Sequence, residues 1–126
     1  MDEREFKDRT KQLALRIIQF VDALPATSTA RAIGNQLVRC GISVGANYRA
    51  ACRGRSTADV IAKLGVVEEE ADETLYWLEL SVEAGLVEGR RVEDLIREAD
   101  ELLAMTVASI KTLRNRSSIQ NPKSKI

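Results

Sequence analysis

The chain of 126 residues contains 19 acidic side chains, 19 basic side chains and no histidine. Its length fits one domain, and its formal net charge of zero argues against a protein that simply coats nucleic acid or an anionic membrane. The lack of histidine removes the usual general base near neutral pH and the commonest nitrogen ligand of metal ions.

The first half of the chain predicts two helices separated by a proline turn. Apolar residues at helical spacing predict a helix over about 5–24. Pro25 ends this helix because the residue before a proline resists the α conformation. Ser28 or Thr29 can cap a second helix over about 29–53. Its apolar face consists of Ile33, Leu37, Cys40, Val44, Tyr48 and Ala51.

The second half predicts two further helices. Ser56 or Thr57 can cap a third helix over about 57–84, and Gly85 is a natural stop for it. Apolar residues at intervals of three, four or seven predict a fourth helix over about 92–115.

These four helices predict an all-α fold. No period-two pattern typical of a strand occurs, and the turns between the helices are short. We therefore expect an up-down-up-down antiparallel four-helix bundle over residues 1–115, followed by a flexible basic tail over 116–126.

The chain also carries signals about its compartment. The charged beginning, MDEREFKDRTK, does not resemble a signal peptide, and no apolar run reaches the ~18 residues of a membrane span. Cys40 and Cys52 lie 12 residues apart in one predicted helix, about 18 Å at 1.5 Å per residue, which is too far for a disulfide. We expect a cytoplasmic protein with reduced cysteines and no membrane contact.

Charge is divided between the second and third helices. Segment 28–55 contains five arginines and no acid, whereas segment 56–84 contains eight acids and one lysine. We expect the two helices to pack antiparallel, although each exposed ion pair contributes only ~0.2–1 kcal/mol. Arginine can grip phosphate with two parallel hydrogen bonds, so exposed arginines are candidate nucleic-acid contacts. These candidates are Arg31, Arg39, Arg55, Arg114 and Arg116.

The acidic stretch VVEEEADETLYWLEL, residues 66–80, has two interpretations. Without histidine, the di-iron site of helical bundles cannot be built, but magnesium needs only oxygen ligands. Glu70 and Glu73 form an i, i+3 pair, and Glu98 and Glu101 repeat that spacing on the fourth helix. This is reminiscent of the all-α nucleotide pyrophosphohydrolases, which hold magnesium on acidic pairs from two helices. In the other interpretation the carboxylates form a solvated or ion-paired face and the protein needs no cofactor.

Glu68 stands out within this stretch. It follows Leu64 by four residues and precedes Ala71 by three, which places it in the apolar stripe, where a bare carboxylate is costly. We expect Glu68 to meet an arginine or a helix end, within the chain or across a subunit contact. Arg49 and Arg53 are the nearest candidates in a hairpin of helices two and three.

The second helix contains residues that a helix interior normally avoids. A glycine there costs ~1 kcal/mol relative to alanine, so Gly41 and Gly45 predict the close approach of another backbone. The neighbour is either a helix of the same chain or another subunit, and a kink is a further alternative. Asn47 near the apolar stripe must find hydrogen-bond partners, and such residues often fix helix register.

The chain resembles a known family most specifically over residues 43–80, SVGANYRAACRGRSTADVIAKLGVVEEEADETLYWLEL. The family is that of the four-helix bundle proteins, also called 23S ribosomal RNA intervening-sequence proteins. Its members carry a Ser-x-x-x-Asn-Tyr/Ile-x-Glu/Ala segment, here Ser43 to Ala50, and then a serine-capped helix, here from Ser56, with a Glu-rich middle and a Leu/Trp-rich end. The resemblance extends from about Phe6 to Leu113.

The resemblance implies an antiparallel four-helix bundle that assembles as a ring, typically a homopentamer, with no established enzymatic activity. A related branch, the accessory proteins of diversity-generating retroelements, binds nucleic acid and a reverse transcriptase through a basic pentameric barrel. The present chain departs from that branch because its pI is near 6.3.

Together these features predict a cytoplasmic, non-enzymatic and oligomeric four-helix bundle with an interaction role. Its expected partners are copies of itself, in a pentamer, and structured RNA or a nucleic-acid-handling protein. The alternative function is that of a magnesium-dependent all-α nucleotide pyrophosphohydrolase.

Overall fold

The computed structural model describes residues 2–120, and four long helices account for most of them. Helix α1 spans Glu3–Asp22, α2 spans Ser28–Cys52, α3 spans Thr57–Glu83 and α4 spans Glu93–Gln120, with a short 3-10 helix at Gly89–Arg91. No strand occurs within residues 2–120. The predicted all-α fold is confirmed.

Short polar side chains begin the first three helices. Asp2, Thr27 and Ser56 each have an extended backbone and accept a hydrogen bond from an amide in the first turn of α1, α2 and α3 respectively. The cap of α2 is therefore Thr27, not Ser28 or Thr29 as predicted. At the end of α3, Gly85 adopts a φ of 77°, a left-handed conformation that glycine accommodates without strain.

The fourth helix is longer than predicted. It continues to Gln120 instead of ending near residue 115, because neither glycine nor proline occurs between Val92 and Asn121. Residues 116–120 of the predicted tail are thus helical, and 121–126 lie outside the described residues.

Each helix packs against its neighbours in the sequence, and α1 also contacts α4, which closes the bundle. The core contains fully buried residues from all four helices, and the rings of Phe6 and Tyr48 lie 4.4 Å apart between centroids. The buried hydroxyls of Thr10, Thr74 and Thr106 donate to carbonyls three or four residues earlier in their own helices. Polar groups therefore enter the core without losing hydrogen bonds.

Because successive helices are antiparallel, one end of the bundle gathers the beginnings of α1 and α3 and the ends of α2 and α4. The opposite end gathers the end of α1, the start of α2 and the segment from α3 into α4. Within residues 2–120, no helix combines the length and apolar character needed to cross a membrane.

Candidate functional site

The charged residues between α2 and α3 form a local network around Arg39. Its guanidinium donates to Glu70 at 3.4 Å and to Glu73, and the indole N–H of Trp77 donates to the same Glu73 oxygen at 3.2 Å. The Arg39 hydrogen bond, with help from Trp77, holds the pKa of Glu73 below its usual value. Arg39 stays a predicted nucleic-acid contact: its side chain is 48% exposed, although its guanidinium already donates to two carboxylates.

A second network joins α1 to α4 through Arg9. Its Nε and Nη2 donate to the two oxygens of Glu98 at 3.1 and 2.7 Å, and Nη2 also donates to Glu101 at 2.9 Å. Arg9 is not among the residues predicted from the sequence. The available signal was its position three residues after Phe6 and four before Leu13, at the edge of the apolar stripe.

The two networks bear directly on the magnesium alternative. Glu70 and Glu73 lie at the α2–α3 contact, whereas Glu98 and Glu101 lie at the α1–α4 contact on the other side of the bundle. An arginine holds each pair, and the two pairs do not converge on a common point. Within the described range, no three acidic or cysteine side chains are grouped as metal ligands would be. The observation that favoured a nucleotide hydrolase is therefore explained by ion pairing.

Glu68 forms no ion pair among residues 2–120. Glu68 is half-buried at the edge of the stripe, whose centre runs through Val67 and Ala71, one residue away from the predicted phase. Arg49 and Arg53 are exposed on α2, and across residues 2–120 neither comes within 4.0 Å of a carboxylate oxygen. The intramolecular pair is corrected accordingly, and a pair across a subunit contact stays a prediction.

The glycines of α2 lie against α1. A Cβ on Gly41 would meet side-chain atoms of Ile17 at 3.0 Å, and one on Gly45 would meet Thr10 Oγ1 at 3.1 Å and its backbone carbon at 3.5 Å. Close packing within the chain thus accounts for both glycines. Asn47 Nδ2 donates to the Ser43 carbonyl at 2.8 Å, which satisfies that amide along its own helix.

Four exposed arginines lie at one end of the bundle, which we call the basic end: Arg53, Arg55, Arg114 and Arg116. The first two follow α2, and the last two lie near the end of α4. None of the four forms an ion pair within residues 2–120. The nearby Asp59 instead pairs with Lys63 at 2.7 Å and accepts from the Arg55 backbone amide.

An open groove runs between α1 and α2, with a volume of about 960 Å³. We call it the α1–α2 groove. Its floor is formed by small residues and by Ile42, which is 41% exposed although it is apolar. Four cationic and three acidic side chains line the rim: Arg4, Lys7, Lys11 and Arg49, with Asp2, Glu5 and Asp8.

The outer side of α3 has the opposite character. Four exposed acids, Glu69, Asp72, Glu79 and Glu83, flank Tyr76, whose side chain is 58% exposed. We call these five residues the acidic row. Lys63 is the only basic residue of α3, and it lies near the start of the helix. The outer sides of α2 and α3 thus differ in sign.

Comparison with known proteins agrees with the all-helical architecture. The family model described as 23S rRNA-intervening sequence protein matches residues 3–108. The chain belongs to this family. It is similar to a crystal structure of a protein of unknown function from the S23 ribosomal protein family of Bacteroides thetaiotaomicron, with 32% identity and a TM-score of 0.81 over 88% of this chain and 99% of that chain. No curated protein matches the chain.

Most of the candidate nucleic-acid contacts of this family member lie at two different ends of the bundle. The structure brings Arg55, Arg114 and Arg116 to the basic end and adds Arg53, which had been assigned to an ion pair. Arg31 is exposed in the first turn of α2, at the opposite end of the bundle. The candidate surface is therefore one end of the bundle, not the length of α2.

Proposed function

We propose that this cytoplasmic protein is a non-enzymatic interaction protein that assembles into a homopentamer and binds structured RNA through its basic end. The observation that carries the RNA proposal is the set of four exposed arginines without carboxylate partners among residues 2–120. Each can donate two parallel hydrogen bonds to a phosphate. The family's description names an intervening sequence of 23S rRNA, and this is why a structured RNA is the polyanion to test first.

Assembly into an oligomer would strengthen RNA binding by the basic end. One chain of zero net charge offers only a few phosphate contacts. Several copies in one particle present several basic ends, and linked weak contacts gain avidity without any new interaction. If RNA does not bind, the proposed partner is a nucleic-acid-handling protein.

Fluorescence anisotropy with a structured RNA, at ~50 and ~200 mM salt, tests the RNA proposal. Phosphate-driven affinity should fall steeply over this range. The double variant Arg53→Ala/Arg55→Ala should bind more weakly and lose part of the salt dependence, since each lost contact removes about 0.7–0.9 from the log–log slope.

The matched control is Arg90→Ala/Arg91→Ala, which removes two exposed arginines from the opposite end. This control should bind RNA as the wild type does. An equal loss in both double variants would show that only overall charge matters, which would contradict a defined basic end. If no RNA binds at the lower salt with micromolar protein, the RNA proposal is wrong and a protein partner becomes the better proposal.

Light scattering tests the assembly. A pentamer of a 14.0 kDa chain has a mass of five times that value, 70 kDa. A mass near 14.0 kDa at micromolar concentration would contradict any ring.

A further inference from the structure

The bundle exposes two surfaces that are complementary to each other yet lie on different helices. The α1–α2 groove presents the 41%-exposed Ile42 below a rim that includes Arg49, and α2 contains no acidic residue over its whole length. The acidic row presents the 58%-exposed Tyr76 between acids on both sides. Exposed large apolar side chains rimmed by polar residues are typical of contact surfaces.

We propose that the acidic row of one copy docks into the α1–α2 groove of a second copy, so that copies associate head to tail. This inference rests on the proposed assembly and names the surfaces that form it. Tyr76 of one copy would contact Ile42 and the small residues of the groove floor in the next, while Glu79 and its acidic neighbours would face Arg49 and Lys11.

The shape of the groove suits such a partner. Gly45 and the alanines at 14 and 46 line its floor, so no bulky side chain fills the space between the two helices. An aromatic side chain offers large contact area with few rotatable bonds and is the type most often found at the centre of such contacts. The three acids on the rim oppose an acidic partner. We therefore expect Arg49, the cation that α2 contributes to the groove, to provide most of the attraction.

The geometry favours repetition of the contact. Because groove and row are different surfaces, each of the two copies in a single contact keeps its other surface unused, and the association is heterologous. The groove lies between α1 and α2, whereas the row lies on α3. Such a contact generates a ring when the rotation between successive copies closes.

Two single variants and their mixture test this contact by light scattering. Ile42→Glu disables the groove and leaves the row intact, whereas Tyr76→Lys disables the row and leaves the groove intact. Each variant alone should be a monomer of 14.0 kDa. Mixed in equal amounts, they should form a dimer of twice that mass and nothing larger, because only one intact groove and one intact row remain.

The matched control is Leu15→Glu, which places the same charge on an apolar residue that is 46% exposed on α1 but does not line the groove. It should assemble as the wild type does. Circular dichroism at 222 nm checks that every variant is folded. The charge reversal Arg49→Glu is a second way to disrupt the groove, and it leaves the apolar floor unchanged.

The outcomes separate the inference from the assembly proposal. A monomeric wild type contradicts the assembly itself. A wild-type oligomer that survives both Ile42→Glu and Tyr76→Lys overturns only the assignment of surfaces. Monomeric variants whose mixture stays monomeric overturn the head-to-tail arrangement, and loss of assembly in Leu15→Glu overturns the specificity of the groove.

Discussion

Arg9 illustrates how one half-buried charge can tie the first helix to the last. Its side chain and that of Glu98 are each 22% exposed, and the pair is bidentate. The Glu98 hydrogen bond is the main reason why the pKa of Arg9 is raised. The contact between α1 and α4 is otherwise the least extensive between adjacent helices. We therefore expect this network to stabilise the closure of the bundle.

Replacing Arg9 with methionine tests this. The change keeps much of the apolar length but leaves Glu98 without its partner in a half-buried site. We expect a loss of about 1–2 kcal/mol in the free energy of unfolding measured by urea denaturation, which is more than an exposed pair contributes. The control is Arg97→Met, because the Arg97–Asp94 pair is 70% and 82% exposed, and its loss should be within about 0.5 kcal/mol. Equal losses in the two variants would contradict a special role for Arg9.

Glu73 should make the stability of the protein depend on acid. Its pKa is lowered in the folded state, mainly by the hydrogen bond from Arg39 and then by that from Trp77. Between the folded and unfolded pKa values the unfolded chain binds more protons, so stability rises with pH there. This contribution is present above about pH 4.5, the ordinary value for the group, and is lost as pH falls through the lower, folded value.

The substitution Glu73→Gln removes the titration and keeps an oxygen that can accept hydrogen bonds. Urea denaturation between about pH 3 and pH 6 should therefore show a shallower pH dependence than in the wild type. Glu69→Gln, one turn earlier on the same helix and exposed, should keep the wild-type slope. Unchanged pH dependence in Glu73→Gln would show that Arg39 does not hold this carboxylate in solution.

At the scale of the helix, the glycines have different roles that their sequence positions do not reveal. Gly41 lies against Ile17, which is fully buried, and an added Cβ would meet its Cβ at 3.2 Å as well as its outer carbons. Gly65 on α3 has no atom within 4 Å of the corresponding point. The same chemical change should therefore have opposite effects at the two positions.

The matched variants are Gly41→Ala and Gly65→Ala. Overpacking costs about 1–3 kcal/mol, and the helical preference of alanine returns about 1 kcal/mol, so Gly41→Ala should lose up to about 2 kcal/mol. Gly65→Ala should gain about 0.5–1 kcal/mol. Thermal and urea denaturation would measure both. A stabilised Gly41→Ala would mean that α1 can shift away from α2 at little cost.

The helices themselves were predictable because their signals are local. Pro25, Ser56 and Gly85 mark boundaries through their own backbone preferences, and the apolar spacing shows which face is buried. Ion-pair partners were not predictable, because they depend on the register between two helices. Composition indicated that α2 and α3 attract, but it could not show that Arg39 would reach Glu73 while Arg49 faces the α1–α2 groove.

A similar limit explains the error at Glu68. A shift of one residue turns a side chain by about 100° around a helix, so a small mistake in phase moves a residue from the core to its edge. Arg9 was missed for the complementary reason: its partners are about 90 residues away in the sequence, on a helix whose own acids suggested a metal.

At the scale of the molecule, the net charge is zero but the two ends of the bundle carry different sets of charged residues. The basic end carries four exposed arginines together with the acids in the first turns of α1 and α3. The opposite end carries Glu83, Glu88, Glu93 and Asp94 together with Arg31, Arg90 and Arg91. Antiparallel topology creates this separation, since the end of α2 and the end of α4 must meet. The α1–α2 groove adjoins the basic end, since Arg4 and Arg49 line it, whereas the acidic row lies on α3. Substitutions of Ile42 or Tyr76 leave the four arginines of the basic end in place, so the two proposed contacts can be disrupted separately.

The charges of the α1–α2 groove and of the acidic row predict how salt should affect assembly. Complementary charges raise the rate at which two surfaces meet more than they stabilise the final contact. The proposed contact between Ile42 and Tyr76 is apolar, so salt should not weaken it. After a monomeric sample, prepared by dilution, is concentrated again, the rate of reassembly followed by light scattering should fall as salt rises from ~50 to ~500 mM. The final mass at high protein concentration should stay the same. Arg49→Ala should reassemble slowly at both salt concentrations, while Arg91→Ala, at the opposite end, should behave as the wild type. A rate that does not respond to salt would contradict charge complementarity between the α1–α2 groove and the acidic row.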